Sequence, residues 1–156
     1  MESGGVIIIH YRKEYRQKLV SPEQAVRIVK NGDWIDFGFG HSKPVALDNA
    51  LAMRKSELKD INIRHVLSLT PQACIEADPE GDVFTLNSWY FSAYDRKLSG
   101  RGQVYHSPMV FSNLSLNYQK SIHHQVDVAM LRVTKMNQDG YFNLHCACAS
   151  GRAIIK

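Results

Sequence analysis

The chain has 156 residues, 44% hydrophobic and 22% charged, which suits one soluble globular domain able to bury about two thirds of its unfolded surface. A net charge of +4, from 19 basic against 15 acidic residues, carries no basic run interleaved with aromatics, so it argues against a nucleic-acid partner. No apolar run approaches the roughly 18 residues of a membrane span, and Cys74, Cys146 and Cys148 cannot all pair within one chain, so the expected setting is a reducing cytoplasm.

Residues 1–10 read as a loose start, and Tyr11 to Leu19 as a short charged helix. Ser21-Pro22-Glu23-Gln24 is a helix start, with Ser as cap, Pro at the first position and Gln three after the cap. Ala25, Val26, Ile28 and Val29 supply its buried stripe, and Asn31-Gly32 ends it. Asp33 to Phe37 then reads as a strand running into the glycine turn Gly38-Phe39-Gly40. Ser42 is placed as the cap of a following helix, with Lys43 and Pro44 its first residues and a run to about Leu58. Strands follow at Ile61–Leu69, Val83–Asn87 and Val104–His106, with helices at Cys74–Asp78, Ser92–Leu98 and Phe111–Ile122 between and after them. Val126 to Val133 is the strongest strand signal. Asn137-Gln138-Asp139-Gly140 then marks a hairpin into Tyr141–Leu144, and a last helix starts at Ser150. Strands alternating with helices at this spacing predict an α/β domain with a mostly parallel sheet.

The turn after the first strand is the leading candidate site, because ligands of open α/β sheets bind at the carboxyl ends of strands. Its spacing is G-x-G-x-x-P rather than the dinucleotide pattern, and a tight turn with no ligand is the competing reading. His41 and Ser42 are the residue types of a base and a nucleophile, but sequence neighbours rarely face each other. His145-Cys146-Ala147-Cys148 has metal-binding types without the second pair that zinc requires, so no metal is expected. His123-His124 reads as a cation pair at a helix end, the carboxylates Glu76, Asp78, Glu80 and Asp82 as solvated, and Asp127 and Arg132 as escaping burial at the two ends of their strand.

Several segments together resemble the amino-terminal half of a family I CoA-transferase, in the branch of 4-hydroxybutyrate CoA-transferase, butyryl-CoA:acetate CoA-transferase and acetyl-CoA hydrolase. The likeness rests on Tyr15, Arg16 and Lys18–Ser21 with Glu23, Ala25 and Val26; on Val29, Lys30 and Gly32–Gly38; and on Ala46–Asp48, Ala50–Ala52, Arg54, Lys55 and Glu57–Asp60. Towards the end it rests on Val126–Ala129, Met136 and Gly140–Asn143, so that it runs through nearly the whole chain from about residue 11. The chain departs from the family where Lys135, Asn137 and Asp139 stand in place of a proline, an aspartate and a histidine, and at His145–Cys148.

The resemblance implies the sheet-and-helix fold shared with sugar-phosphate isomerases, over residues 11–156 and ending inside a helix. It also implies transfer of coenzyme A between an acyl-CoA and a short acid such as acetate, through a glutamyl-CoA thioester. The glutamate belongs to a carboxyl-terminal domain absent from this chain, so the chain alone is expected to be inactive. It binds no cofactor, coenzyme A entering as thioester substrate, and a homo-oligomer is expected. The residues it leaves for the pocket wall are Gly38, Gly40, His41 and Ser42, and Tyr105, His106, Ser107 and Pro108. Two other readings stand beside it: a binding or regulatory module with the same fold, and an isomerase-like enzyme, against which the lack of an acid/base pair counts.

Overall fold

Among the described residues five parallel strands form one sheet. The computed structural model describes residues 3–120, 124–144, 149 and 151–155, with side chains from residue 11 onward. The strands are β1 Trp34–Asp36, β2 Ile61–His65, β3 Phe84–Ser88, β4 Val104–His106 and β5 Val128–Ala129, lying in the order β4-β3-β2-β1-β5. Register pairs Ile35 with Ile63 and Val128, Ile63 with Leu86, and Leu86 with Val104. All of these residues are buried, those on the three central strands completely, as a covered parallel sheet requires.

Helix α1, Ser3–Lys18, takes in residues expected as a loose start. Helix α2, Pro22–Ala25, opens on the capping box read from the sequence, with Ser21 Oγ accepting the Gln24 amide and Gln24 Oε1 the Ser21 amide. It then tightens into a 3-10 turn over Val26–Ile28. At three residues per turn, Val26 and Val29 line up against the sheet and Ile28 swings out to 62% exposure, which corrects its place in the buried stripe. Helices α3 Val45–Ala52, α4 Ala73–Glu76 and α5 Ala93–Leu98 follow in turn, the last capped by a Ser92–Asp95 box. Then come α6 Leu114–Gln119 and α7 Gly151–Ile154.

Two expectations fail at the ends of the sheet. Of Val126–Val133 only Val128–Ala129 pairs, with backbone bonds from Asp127 to Trp34 and from Met130 to Asp36 extending the ladder by one residue each way. β5 has a neighbour on one side only, so apolar character alone cannot hold the run in the sheet. The hairpin turn does close: the Asn137 amide donates to the Tyr141 carbonyl, and Asn137 Oδ1 accepts the Asp139 and Tyr141 amides. Tyr141–Leu144 makes no strand, although Thr134 and Asn143 are joined.

A buried ion pair fixes the segment after β1. Lys43 and Asp48, 5% and 0% exposed, meet with Lys43 Nζ 3.0 Å from Asp48 Oδ2, and Lys43 Nζ also donates to the Pro71 carbonyl. The same Asp48 carboxylate accepts the Ala73 and Cys74 amides at 2.8 and 3.1 Å. Removing it strands a buried ammonium and two amides, so Asp48→Ala should cost about 3–5 kcal/mol. Urea unfolding checks this, and a loss below about 1 kcal/mol, the scale of a surface ion pair, would count against the role given to the pair.

Candidate functional site

The glycine turn has the conformation its sequence demands. Gly38 and Gly40 hold φ of +73° and +53°, values closed to most side chains, and a 3-10 turn spans Gly40–Ser42. Ser42 does not cap α3, which corrects the sequence reading: α3 starts at Val45 behind Pro44, and Ser42 is buried within the 3-10 turn while His41 is exposed. The two are not brought together as base and nucleophile.

The turn's donors are partly spent within the fold. The Gly38 amide donates to Asp36 Oδ1 at 2.7 Å, and the Ser42 and Lys43 amides return to the Phe39 and Gly40 carbonyls. Gly40 and His41 open the 3-10 turn, so their amides have no carbonyl within that turn to reach.

The second group sits at the same edge of the sheet but not beside the first. Tyr105 and His106 end β4, and β2 and β3 stand between them and the turn, a separation of roughly 14 Å at the usual strand spacing. Tyr105 and His106 are exposed, His106 lying on Phe91 with ring centroids 5.1 Å apart. Ser107 is pinned, its amide to the Ser88 carbonyl and its Oγ accepting Asn87 Nδ2 at 2.8 Å, and Pro108 follows exposed. Phe111 bridges the gap, packing edge-on against Phe39 and Tyr90.

Between the two groups lies a polar row that sequence reading missed. Asp36, Arg64, Asn87 and Tyr105 are successive register partners across four strands. Arg64, 2% exposed, has its guanidinium 4.9–5.6 Å from the ring centroids of Trp34, Trp89 and Tyr118 and donates to the His124 carbonyl at 3.0 Å. Tyr118 donates to Asp36 Oδ2, and Trp89 Nε1 to Asn87 Oδ1 at 3.0 Å. Burial pushes the Asp36 carboxyl up to about 6, against the Tyr118 hydroxyl, the Gly38 amide and the Arg64 charge, which favour ionisation. The signal was present as the polar members of Ile61-Asn62-Ile63-Arg64, but alternation shows which side a residue faces and not what meets it there.

Beneath the turn, at the end of β2, His65 is fully enclosed. The Gln72 amide reaches its Nδ1 at 3.0 Å, Ser68 Oγ lies 3.2 Å from the same nitrogen, and Nε2 has no partner among the described residues. Burial pushes its pKa down to about 4; Lys43 adds to the effect, while Asp95, Asp48 and the Gly40 backbone oppose it.

Other sequence candidates resolve simply. Asp78 is buried rather than solvated, because its carboxylate accepts the Asp82, Val83 and Phe84 amides and meets Lys55 at 2.9 Å. Glu76 takes the Tyr94 hydroxyl, Glu80 approaches Lys55, and Asp82 is exposed. His124 stacks flat on Trp34, while its expected partner in a cation pair, His123, lies outside the described residues, as do His145–Cys148. Asp127 and Arg132 do escape burial, Asp127 accepting the Trp34 amide at 2.8 Å. No helix among the described residues is long and apolar enough to cross a membrane.

Comparison with known proteins follows the same outline. Residues 8–156 match the model of the acetyl-CoA hydrolase/transferase N-terminal domain. The chain is 41% identical over 94% of its length to butyryl-CoA:acetate CoA-transferase of Anaerostipes caccae, and 37% identical over 84% to a probable butyrate:acetyl-CoA coenzyme A-transferase of Syntrophomonas wolfei. It spans 32% and 29% of those proteins, about a third of their length. Among solved structures, RipA from Yersinia pestis superposes with a TM-score of 0.72 at 25% identity, over 86% of this chain and 33% of RipA.

The site makes a prediction about pH. His65 titrates near 6.5 when unfolded and near 4 when folded, so as pH falls from 6.5 to 4 the unfolded state gains its proton first and stability drops. His65→Gln lacks that proton, so the wild type should lose up to about 3 kcal/mol relative to the variant across this window. Urea unfolding of both proteins from pH 4 to 7 measures it; a difference that does not change with pH would remove His65 from the acid response.

Proposed function

Because the chain belongs to the acetyl-CoA hydrolase/transferase family, as its N-terminal domain, we propose that it forms one wall of the active site of a cytoplasmic enzyme that moves coenzyme A between an acyl-CoA and a short carboxylic acid. The observation that carries this reading is the family match from residue 8 to residue 156, which takes in both the glycine turn and the end of β4. The resemblance stated above supplies the chemistry. A glutamate carboxylate from the remaining polypeptide attacks the thioester carbon, and coenzyme A leaves as thiolate. The thiolate returns to the glutamyl carbonyl, releasing the first acid and leaving a glutamyl thioester, and the incoming acid runs the same two steps backwards. Each addition builds negative charge on a carbonyl oxygen, which fixed amide donors stabilise.

In this reading Gly40 and His41 supply amides near the acyl group, and Gly38 keeps the turn open beside it. Ser42 fills the floor, and Tyr105, His106, Ser107 and Pro108 line the opposite side. The Arg64 row holds the sheet edge between them. The departures at Asn137 and Asp139 fall on the hairpin turn and Lys135 just before it, and the turn closes with its own hydrogen bonds.

A chimera tests the proposal: residues 8–156 replace the matching segment of the Anaerostipes enzyme. The chimera should transfer coenzyme A from butyryl-CoA to acetate and show a coenzyme A adduct on a glutamate by intact mass, while the 156-residue chain alone shows neither. A folded chimera with no transfer and no adduct would favour a binding module, and turnover by the chain alone would remove the need for a glutamate from elsewhere. The chain also exposes Val110, Phe111 and Leu116 at 64%, 51% and 39%, apolar surface that invites a partner. Sedimentation should therefore show self-association at micromolar concentration, and a clean monomer would contradict it.

A further inference from the structure

An open cleft of about 490 Å³ lies between the amino end of α3 and the segment that leaves the sheet after β5. Its walls are apolar: Pro44, Val45 and Leu47 on one side, Leu131 and Val133 on the other. It borders the glycine turn, since a Cβ built on Gly38 would stand 3.4 Å from Leu131 Cδ2. None of the residues assigned above to the pocket wall lines it.

Two cations line the cleft, Lys43 and Arg132. The ammonium of Lys43 is spent on Asp48 and the Pro71 carbonyl and is almost fully buried. Arg132 is exposed, and no carboxylate among the described residues pairs with it. The cleft therefore presents one available guanidinium against apolar walls, at the carboxyl end of a parallel sheet where small ligands collect.

We infer that this cleft binds the free short-chain monocarboxylic acid, its carboxylate paired with Arg132 and its hydrocarbon tail against Val45, Leu47, Leu131 and Val133. A guanidinium matches a carboxylate with two parallel hydrogen bonds. The phosphates of coenzyme A suit the cleft poorly: a polyphosphate draws on several cationic donors, and the apolar walls would leave its remaining oxygens unpaired. The inference rests on the transferase reading for its choice of acid and makes Arg132 a residue that sets substrate class.

The test is binding, read apart from turnover. Amide NMR spectra of the 156-residue chain are titrated with butyrate, with butyramide, which keeps the tail without the charge, and with inorganic phosphate. Butyrate should shift the amides lining the cleft in a saturable way, with butyramide and phosphate weaker. Arg132→Gln should weaken butyrate binding by about tenfold or more, as expected for losing a charge-assisted pair, and Arg132→Lys by less; both substitutions are at an exposed position and should leave the thermal melt unchanged. The inference is overturned if butyrate shifts nothing in the cleft, if Arg132→Gln binds it as well as wild type, or if phosphate binds equally. The first of these outcomes would leave the cleft to another occupant such as further polypeptide. Because the chimera reads transfer and these spectra read binding, either idea can fail while the other stands.

Discussion

The carboxylate of Asp48 is the constraint on which this half of the sheet depends. A buried carboxylate without partners is too costly to keep, and this one is satisfied by three groups from two other stretches of chain: the Lys43 ammonium and the adjacent amides of Ala73 and Cys74. Meeting that demand draws the end of the glycine turn, the body of α3 and the start of α4 to a single point. The turn's left-handed glycines are then held from outside, and their positions do not rely on the weak 3-10 bonds of the turn itself. An apolar pair at positions 43 and 48 could pack as densely, but it would not specify where α4 begins.

On the other face of the sheet a different economy operates. Arg64 is buried with one carbonyl acceptor and three aromatic faces, while the carboxylate nearest in register, Asp36, is occupied by Tyr118 and Gly38. The quadrupoles of Trp34, Trp89 and Tyr118 stand in for water around the guanidinium. Asp36 and His65, one residue apart in register, respond to burial in opposite senses: the acid is pushed up and the imidazole down, so both lean towards their neutral forms. Arg64 is thus one fixed buried charge of the edge that carries the candidate site, beside the Lys43–Asp48 pair behind the turn.

Much of this was legible because local chemistry announces it. The capping box at Ser21 and Gln24, the β-branched run of Ile61 and Ile63, and the paired glycines at 38 and 40 each have one good structural solution, and the chain adopts it. What was not legible depends on distant partners. Val126–Val133 reads as a strand from side chains alone, yet a place at the edge of the sheet leaves it two paired residues. Asp78 looks solvated in an acidic turn until the three amides that follow it fold back onto its carboxylate. Ser42 has the right chemistry for a cap, but the ion pair to Asp48 pulls Lys43 inward and moves the helix start to Val45. The two groups of candidate residues fall at the carboxyl ends of their strands, which local pattern could indicate, while the strands standing between them, and Arg64 with its cage, follow from a strand order that no local pattern encodes.

The chain has two tryptophans, Trp34 and Trp89, and both lie against the guanidinium of Arg64. Trp34 is also covered by the His124 ring, and the Trp89 ring is tilted against Tyr118. The tryptophan emission of this protein therefore originates at a single place, where a cation and neighbouring rings set its colour and intensity. Tryptophan light from the native molecule is a report on the middle of the sheet edge.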